Sequence, residues 1–203
     1  MSKRKLLTEW LAFEYTPELI KESKEKNDGK IMMSGVLQKS DTLNQNGRIY
    51  PAPILEREVR NYQKFIQENR ALGELDHPES SVVELKNASH IIREAYMNEG
   101  ICYGSVEILG TPSGKILQSL IETGITLGIS SRGVGSTQRD GDHDVVQDEF
   151  QLICWDFVSE PSTPGAFMMA EGRDFTREDL HRHFNKSDRI DRLVNDILAW
   201  ENE

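Results

Sequence analysis

The chain has 203 residues, with 24 Lys and Arg against 34 Asp and Glu, a net charge of −10 at neutral pH. That length fits one large domain, or one domain with a tail, and can bury a core without a disulfide or metal staple. The acidic balance argues against phosphate-backbone binding, two cysteines in separate apolar runs (Cys102 and Cys154) exclude a disulfide scaffold, and no apolar stretch approaches the roughly 20 residues of a membrane helix.

The start, MSKRKLLTEW, reaches Glu9 before any apolar core forms and does not read as a secretory signal, so a cytoplasmic protein with reduced, buried thiols is expected. Residues 1–28 read as a polar, partly helical lead-in. A short strand follows over Lys30 to Gln38. Asp41 to Pro51, rich in Asn, Asp and Gly, reads as a loop. From Pro53 to about Asn69 the apolar residues Leu55, Val59, Tyr62 and Ile66 recur at three- and four-residue steps, the signature of an amphipathic helix. Ala71 to Ser80 begins with a short extended piece. His90 to Met97 and Ile101 to Leu109 form two strands joined by Asn98-Glu99-Gly100 in a hairpin-like turn.

The next helix is the best specified. Thr111 is its N-cap and Pro112 its first residue; Ile116, Leu117, Leu120 and Ile121 share a face, and Gly124 follows the last turn. Ile125 to Ser130 is a strand leading into SRGVGS, Gln138 to Asp144 a hairpin tip, and Glu149 to Val158 a long apolar strand. Beyond Gly172 the composition turns to charge, so residues 29–172 are expected to form the domain and 173–203 a charged helical tail. Strands outnumber helices and short turns join neighbours, which points to an α+β fold with a largely antiparallel core.

Several motifs fail on spacing. The acidic turn Asp140 to Asp144 resembles the start of a calcium loop, but Val145 and Gln151 stand where Gly and Glu are needed. Gly133-x-Gly135 has no third glycine at the dinucleotide spacing. His181 and His183, two apart in the tail, make a poor metal pair on a helix. A metal-dependent hydrolase using His77, Asp76 and His143 lacks any short ligand spacing, and neither a metal nor a cofactor is expected.

Two segments remain. GELDHP (Gly73 to Pro78) sets His77 at the end of an element, where a surface histidine is the commoner finding. GISSRG (Gly128 to Gly133) places two hydroxyls and a guanidinium at the end of an apolar strand; a polar turn and a site are about equally good readings of it alone. Together they are worth more. A serine hydroxyl needs a base to take its proton, and histidine suits that work near neutral pH. The imidazole in turn needs a group to hold its tautomer, and Asp156 is a candidate because it interrupts the apolar run LICWDFV; an outward-facing strand residue is the ordinary alternative.

With NQNGRIYP (Asn44 to Pro51), GELDHP, GISSRG and DFVSEPSTPGA in this order, the chain resembles the prohead core proteases of T4-like tailed phages over about Lys30 to Ala170. That family is similar in fold to the herpesvirus assemblins, which implies a β-barrel-like core with flanking helices. The resemblance implies a serine endopeptidase that cleaves phage scaffold and major capsid precursors after Glu, inside the assembling prohead in the host cytoplasm. Carried over by motif, His77 is the base, Ser130 the nucleophile and Asp156 the third member, with Asp76 a rival that relatives can replace by Asn. Backbone N–H groups from Ser131 to Gly133, or the Arg132 side chain through a water, would meet the oxyanion. Arg132 or Arg93 would receive the substrate glutamate. Relatives of assemblin type pair to become active, so a homodimer or higher oligomer is an expected state, without nucleic acid or membrane. Met169-Ala170-Glu171-Gly172 offers a self-cleavage point that would free the tail. The competing expectation is a non-enzymatic assembly component that keeps the protease fold.

Overall fold

The computed structural model describes residues 17–170 except Glu79, Glu160, Gly165 and Phe167, so the tail and its cleavage point lie outside the described residues. Helix α1 (Pro17–Lys26) leads into strand β1 (Met32–Lys39), and the Ser23 hydroxyl ties the two by bonding main-chain atoms of Met32 at 3.0 and 3.3 Å. Strand β2 (Arg48–Ile49) interrupts the expected loop. It is only two residues long and pairs in parallel with β8 (His143–Val146), a partner about a hundred residues away that local composition cannot announce. Helix α2 (Ala52–Gln67) buries Leu55, Val59 and Tyr62, as their spacing requires.

Strand β3 (Leu72–Glu74) is followed by the His77 segment and a return through a short 3₁₀ turn at Leu85–Asn87. Strands β4 (Ala88–Asn98) and β5 (Ile101–Ile108) form a hairpin whose turn residues, Glu99 and Gly100, have φ of 49° and 79°. Two successive positive φ values match the right-handed twist of the strands they join. Helix α3 (Pro112–Glu122) starts as expected, with the Thr111 hydroxyl accepting from the Gly114 N–H at 3.1 Å. Its buried face is Leu117 and Ile121, whereas Ile116, expected on that face, is exposed.

Strand β6 runs over Gly128–Val134, so Ser130 lies inside a strand and not at the end of one. Strands β7 (Thr137–Asp140) and β8 form the expected solvated hairpin. Strand β9 (Gln151–Val158) pairs with β6, and β10 (Met168–Ala170) adds to the edge of β1. The result is an α+β fold with three sheets: an antiparallel sheet in the order β10-β1-β5-β4-β3, a three-stranded sheet β2-β8-β7, and the antiparallel pair β6-β9.

Single main-chain contacts join the first and third sheets. Leu75 bridges Phe157, the Asp76 N–H donates to the Phe157 carbonyl at 2.8 Å, and the Ile129 N–H to the Ala166 carbonyl at 2.8 Å. No closed barrel forms among the described residues. The core fills the space between the sheets and α2, with Trp155 edge-on to Tyr62 at 4.8 Å and His90 edge-on to Phe157 at 4.8 Å. No helix among the described residues is long and apolar enough to cross a membrane.

Candidate active site

Ser130 and Asp156 are register partners across β6 and β9. Directly opposed residues point to the same face of a sheet, and so do residues two apart on one strand. Ser130, Arg132, Cys154 and Asp156 therefore line one face, while Ser131 and Trp155 turn to the other. A four-residue polar patch inside two otherwise apolar strands demands partners, and β3 with its following loop supplies them.

Asp156 is fully buried and its two oxygens are saturated. Oδ2 meets His77 Nδ1 at 2.9 Å and accepts from Arg132 Nε at 2.8 Å. Oδ1 accepts from the Glu74 N–H at 3.0 Å, Arg132 Nη2 at 3.3 Å and the Cys154 thiol at 3.3 Å. Burial alone would raise the Asp156 pKa; the bonds from His77, Arg132 and the Glu74 N–H outweigh it and hold the carboxyl below its ordinary value. An ionised carboxylate only accepts, so His77 presents Nδ1–H to it and leaves Nε2 as the free ring nitrogen. The His77 side chain is 39% exposed, enough to meet a second molecule.

Arg132 sits between two buried carboxylates. Besides its bonds to Asp156, its Nη2 donates to Glu74 Oε2 at 2.5 Å and its Nη1 to the Ser80 carbonyl at 2.6 Å. Burial works against its charge, but Asp156 and Glu74 raise its pKa beyond the ordinary guanidinium value. The other oxygen of Glu74 accepts the Glu84 N–H at 3.0 Å. Cys154, its thiol pushed up by burial and the Asp156 charge, stays protonated and unreactive.

Ser130 is 2% exposed, and its Oγ bonds Ser162 Oγ at 3.1 Å; among the described residues no hydrogen bond joins it to His77. Ser162 reaches this place because Pro161 packs its ring onto Gly128, where any Cβ would overlap it. Phe150 fills the corresponding space at Gly133. The glycines of GISSRG thus admit neighbouring rings and do not leave the backbone open. Gln45 N–H also donates to the Ser162 carbonyl at 2.9 Å, which docks the Asn44–Pro51 loop on the same spot. Farther along this loop burial raises the pKa of the Tyr50 phenol against the opposing pull of Arg48.

The structure therefore brings His77, Asp156 and Arg132 into direct contact, with Ser130 on the same face. Asp76, the rival to Asp156, is exposed and has φ of 59°. Asn and Asp are the residues that best tolerate that left-handed conformation, so the backbone and not a charge explains why either can stand there. Arg93 is tied to Glu107 at 2.6 and 2.7 Å and to Asn69 at 2.7 Å, which leaves neither it nor Arg132 as a cation without carboxylates. His143 lies beside Asp140 on the β7-β8 hairpin, and no group of three or more potential metal ligands gathers among the described residues. Sequence reasoning missed Glu74, Ser162 and the Ser80–Glu84 return. Glu74 had one signal, its position inside GELDHP itself.

A family model described as prohead core protein serine protease matches residues 17–177. The chain is 31% identical over 156 residues to the prohead core protein protease of Enterobacteria phage T4, spanning 71% of this chain and 74% of that protein. The structure of the bacteriophage T4 capsid assembly protease, gp21, superposes with a TM-score of 0.61 at 29% identity, covering 64% of this chain and 82% of that one. The chain belongs to the prohead core protein serine protease family.

Proposed function

We propose that this protein is a serine endopeptidase of prohead maturation, with Ser130 as nucleophile, His77 as general base and Asp156 as the carboxylate that orients it. The observation that carries this reading is the 2.9 Å bond between His77 Nδ1 and Asp156 Oδ2, made by the residue directly opposite Ser130 in the ladder. In the proposed active arrangement the Ser130 hydroxyl leaves Ser162 and bonds His77 Nε2. The hydroxyl proton then passes to Nε2 as Oγ bonds to the scissile carbonyl carbon, and from Nε2 to the leaving amine as the peptide bond breaks. Water hydrolyses the acyl-enzyme by the same route.

For the oxyanion we assign backbone N–H groups between Ser131 and Gly133, where a register shift interrupts the β6-β9 ladder. The Arg132 side chain is not assigned that task, because its guanidinium is held by Asp156, Glu74 and Ser80. The names of the relatives, a prohead core protein protease and a capsid assembly protease, support scaffold and capsid precursors as substrates within the assembling prohead of the host cytoplasm. Cleavage after Glu and a kinship of fold with the assemblins belong to the same proposal, as does a tail that begins near Gly172 and is removed by the enzyme itself.

The test is turnover of a scaffold-derived peptide, with a fluorophosphonate to label the nucleophile. Ser130→Ala and His77→Ala should each fall to a few per cent of wild type or less, the label should map to Ser130, and chelators should have no effect. Activity retained by either variant overturns the assignment. Aged wild-type chain should lose the mass of the tail while Ser130→Ala stays intact.

A further inference from the structure

Two of the buried charges at this site are not explained by a Ser-His-Asp arrangement. Such an arrangement needs one carboxylate. Here Glu74, with no exposed surface, and Arg132, 8% exposed, accompany Asp156. Burying an extra Arg–Glu pair is costly, and an apolar pair of similar volume serves stability as well or better. The pair also competes with the imidazole. Arg132 Nε donates to the same Asp156 oxygen that holds His77, so unopposed it would pull the carboxylate toward itself.

We propose that Glu74 and Arg132 are positioning residues, Glu74 drawing the guanidinium off Asp156 so that the carboxylate remains available to His77, while the pair pins the loop that carries the histidine. Both halves stand on contacts. Glu74 takes Arg132 Nη2 on one oxygen and the Glu84 N–H on the other, and Arg132 Nη1 takes the Ser80 carbonyl. Ser80 and Glu84 lie on the return that follows His77, so one ion pair fastens that return at two points. The Glu74 N–H meanwhile fixes Asp156 Oδ1. Glu74 thus touches the orienting carboxylate through its backbone and the competing cation through its side chain.

The inference rests on the proposed role of His77, but its test reads the imidazole without requiring turnover. The downfield NMR resonance of the His77 Nδ1–H proton is followed in the full chain. The groups around the His77–Asp156 pair are Glu74 from β3, Asp76 beside His77, Arg132 from β6 and Cys154 from β9, with His90 and Tyr62 on the core side of the same carboxylate. In Glu74→Gln the cluster loses one negative charge and Arg132 turns wholly to Asp156. The His77 Nδ1–H resonance, which marks the bond to Asp156, should weaken severalfold or vanish. In the double variant Glu74→Gln/Arg132→Gln the competing cation is gone as well, and the resonance should return.

A purely structural ion pair would lower stability in both variants and leave the resonance at its wild-type strength in Glu74→Gln, and that result overturns the inference. If Glu74→Gln does not fold, Glu74→Asp, which keeps the charge but shortens the reach to Arg132, decides by the same resonance. Labelling of Ser130 by a fluorophosphonate in the wild-type chain separates the outcomes. Labelling with an unchanged resonance ends this inference alone, whereas no labelling ends the peptidase reading.

Discussion

Ser130 and Asp156 face each other across one rung of the β6-β9 ladder, yet they do not share a hydrogen bond. The carboxylate is directed to His77 and Arg132, and the hydroxyl to Ser162. The strands therefore set the Ser130 hydroxyl and the Asp156 carboxylate at a fixed spacing, while the His77 imidazole arrives from a loop. Among the described residues Ser162, and not His77, holds the Ser130 hydroxyl.

The bond to His77 that the proposed role of Ser130 requires competes with the Ser162 bond. Removing the partner hydroxyl in Ser162→Ala takes away one neutral hydrogen bond, whose net worth is about 0.5–1.5 kcal/mol. The fluorophosphonate labelling rate of Ser130 should rise about 2- to 10-fold, with stability little changed. A slower rate in this variant would mean that Ser162 assists the serine and does not hold it back.

Gly73 is held by sterics. A Cβ there would overlap the Trp155 carbonyl and the His90 ring, both of them buried in the core. Gly73→Ala should cost about 1–3 kcal/mol through forced displacement of β3 against β9. It should also weaken catalysis, since the next residue is Glu74. Thermal unfolding of the variant checks this; an unchanged midpoint would show that β3 can shift freely.

His90 gives the fold an acid sensitivity of its own. Its Nε2 lies 2.9 Å from the Trp155 carbonyl and its Nδ1 2.8 Å from Ser89 Oγ, so the ring donates on one side, accepts on the other and is neutral. Burial lowers its pKa from 6.5 to about 4, against the opposing pull of the Trp155 carbonyl. An imidazole with a lower folded than unfolded value is protonated first in the unfolded chain, so protons favour unfolding. Stability should be unaffected by this residue above about pH 6.5, decline as pH falls toward 4, and level off below, a loss on the order of 3 kcal/mol. Urea midpoints across that window should slope less steeply in His90→Gln, whose amide can both donate and accept. Equal slopes would assign the acid lability to other groups. Asp156, held below its ordinary value, adds a loss in the same direction as it takes up a proton at still lower pH.

Much of this protein was readable along the chain because the deciding forces act between near neighbours. The Thr111 cap with Pro112, the Glu99-Gly100 turn and the 3.6-residue face of α2 are settled within a few residues, and the four motif segments carry the family resemblance without any fold. The expectation that Asp156 must be paired also followed from local cost, a carboxylate set in an apolar strand. Its partners did not. Glu74 lies 82 residues from Asp156, Arg132 lies 58 from Glu74, and Ser162 lies 32 from Ser130. Those contacts come from strand register and from rings packed on glycines, which are properties of the assembled sheets. A pattern of residue types could propose a serine, a histidine and an aspartate; only the folded chain could decide which groups compete for them.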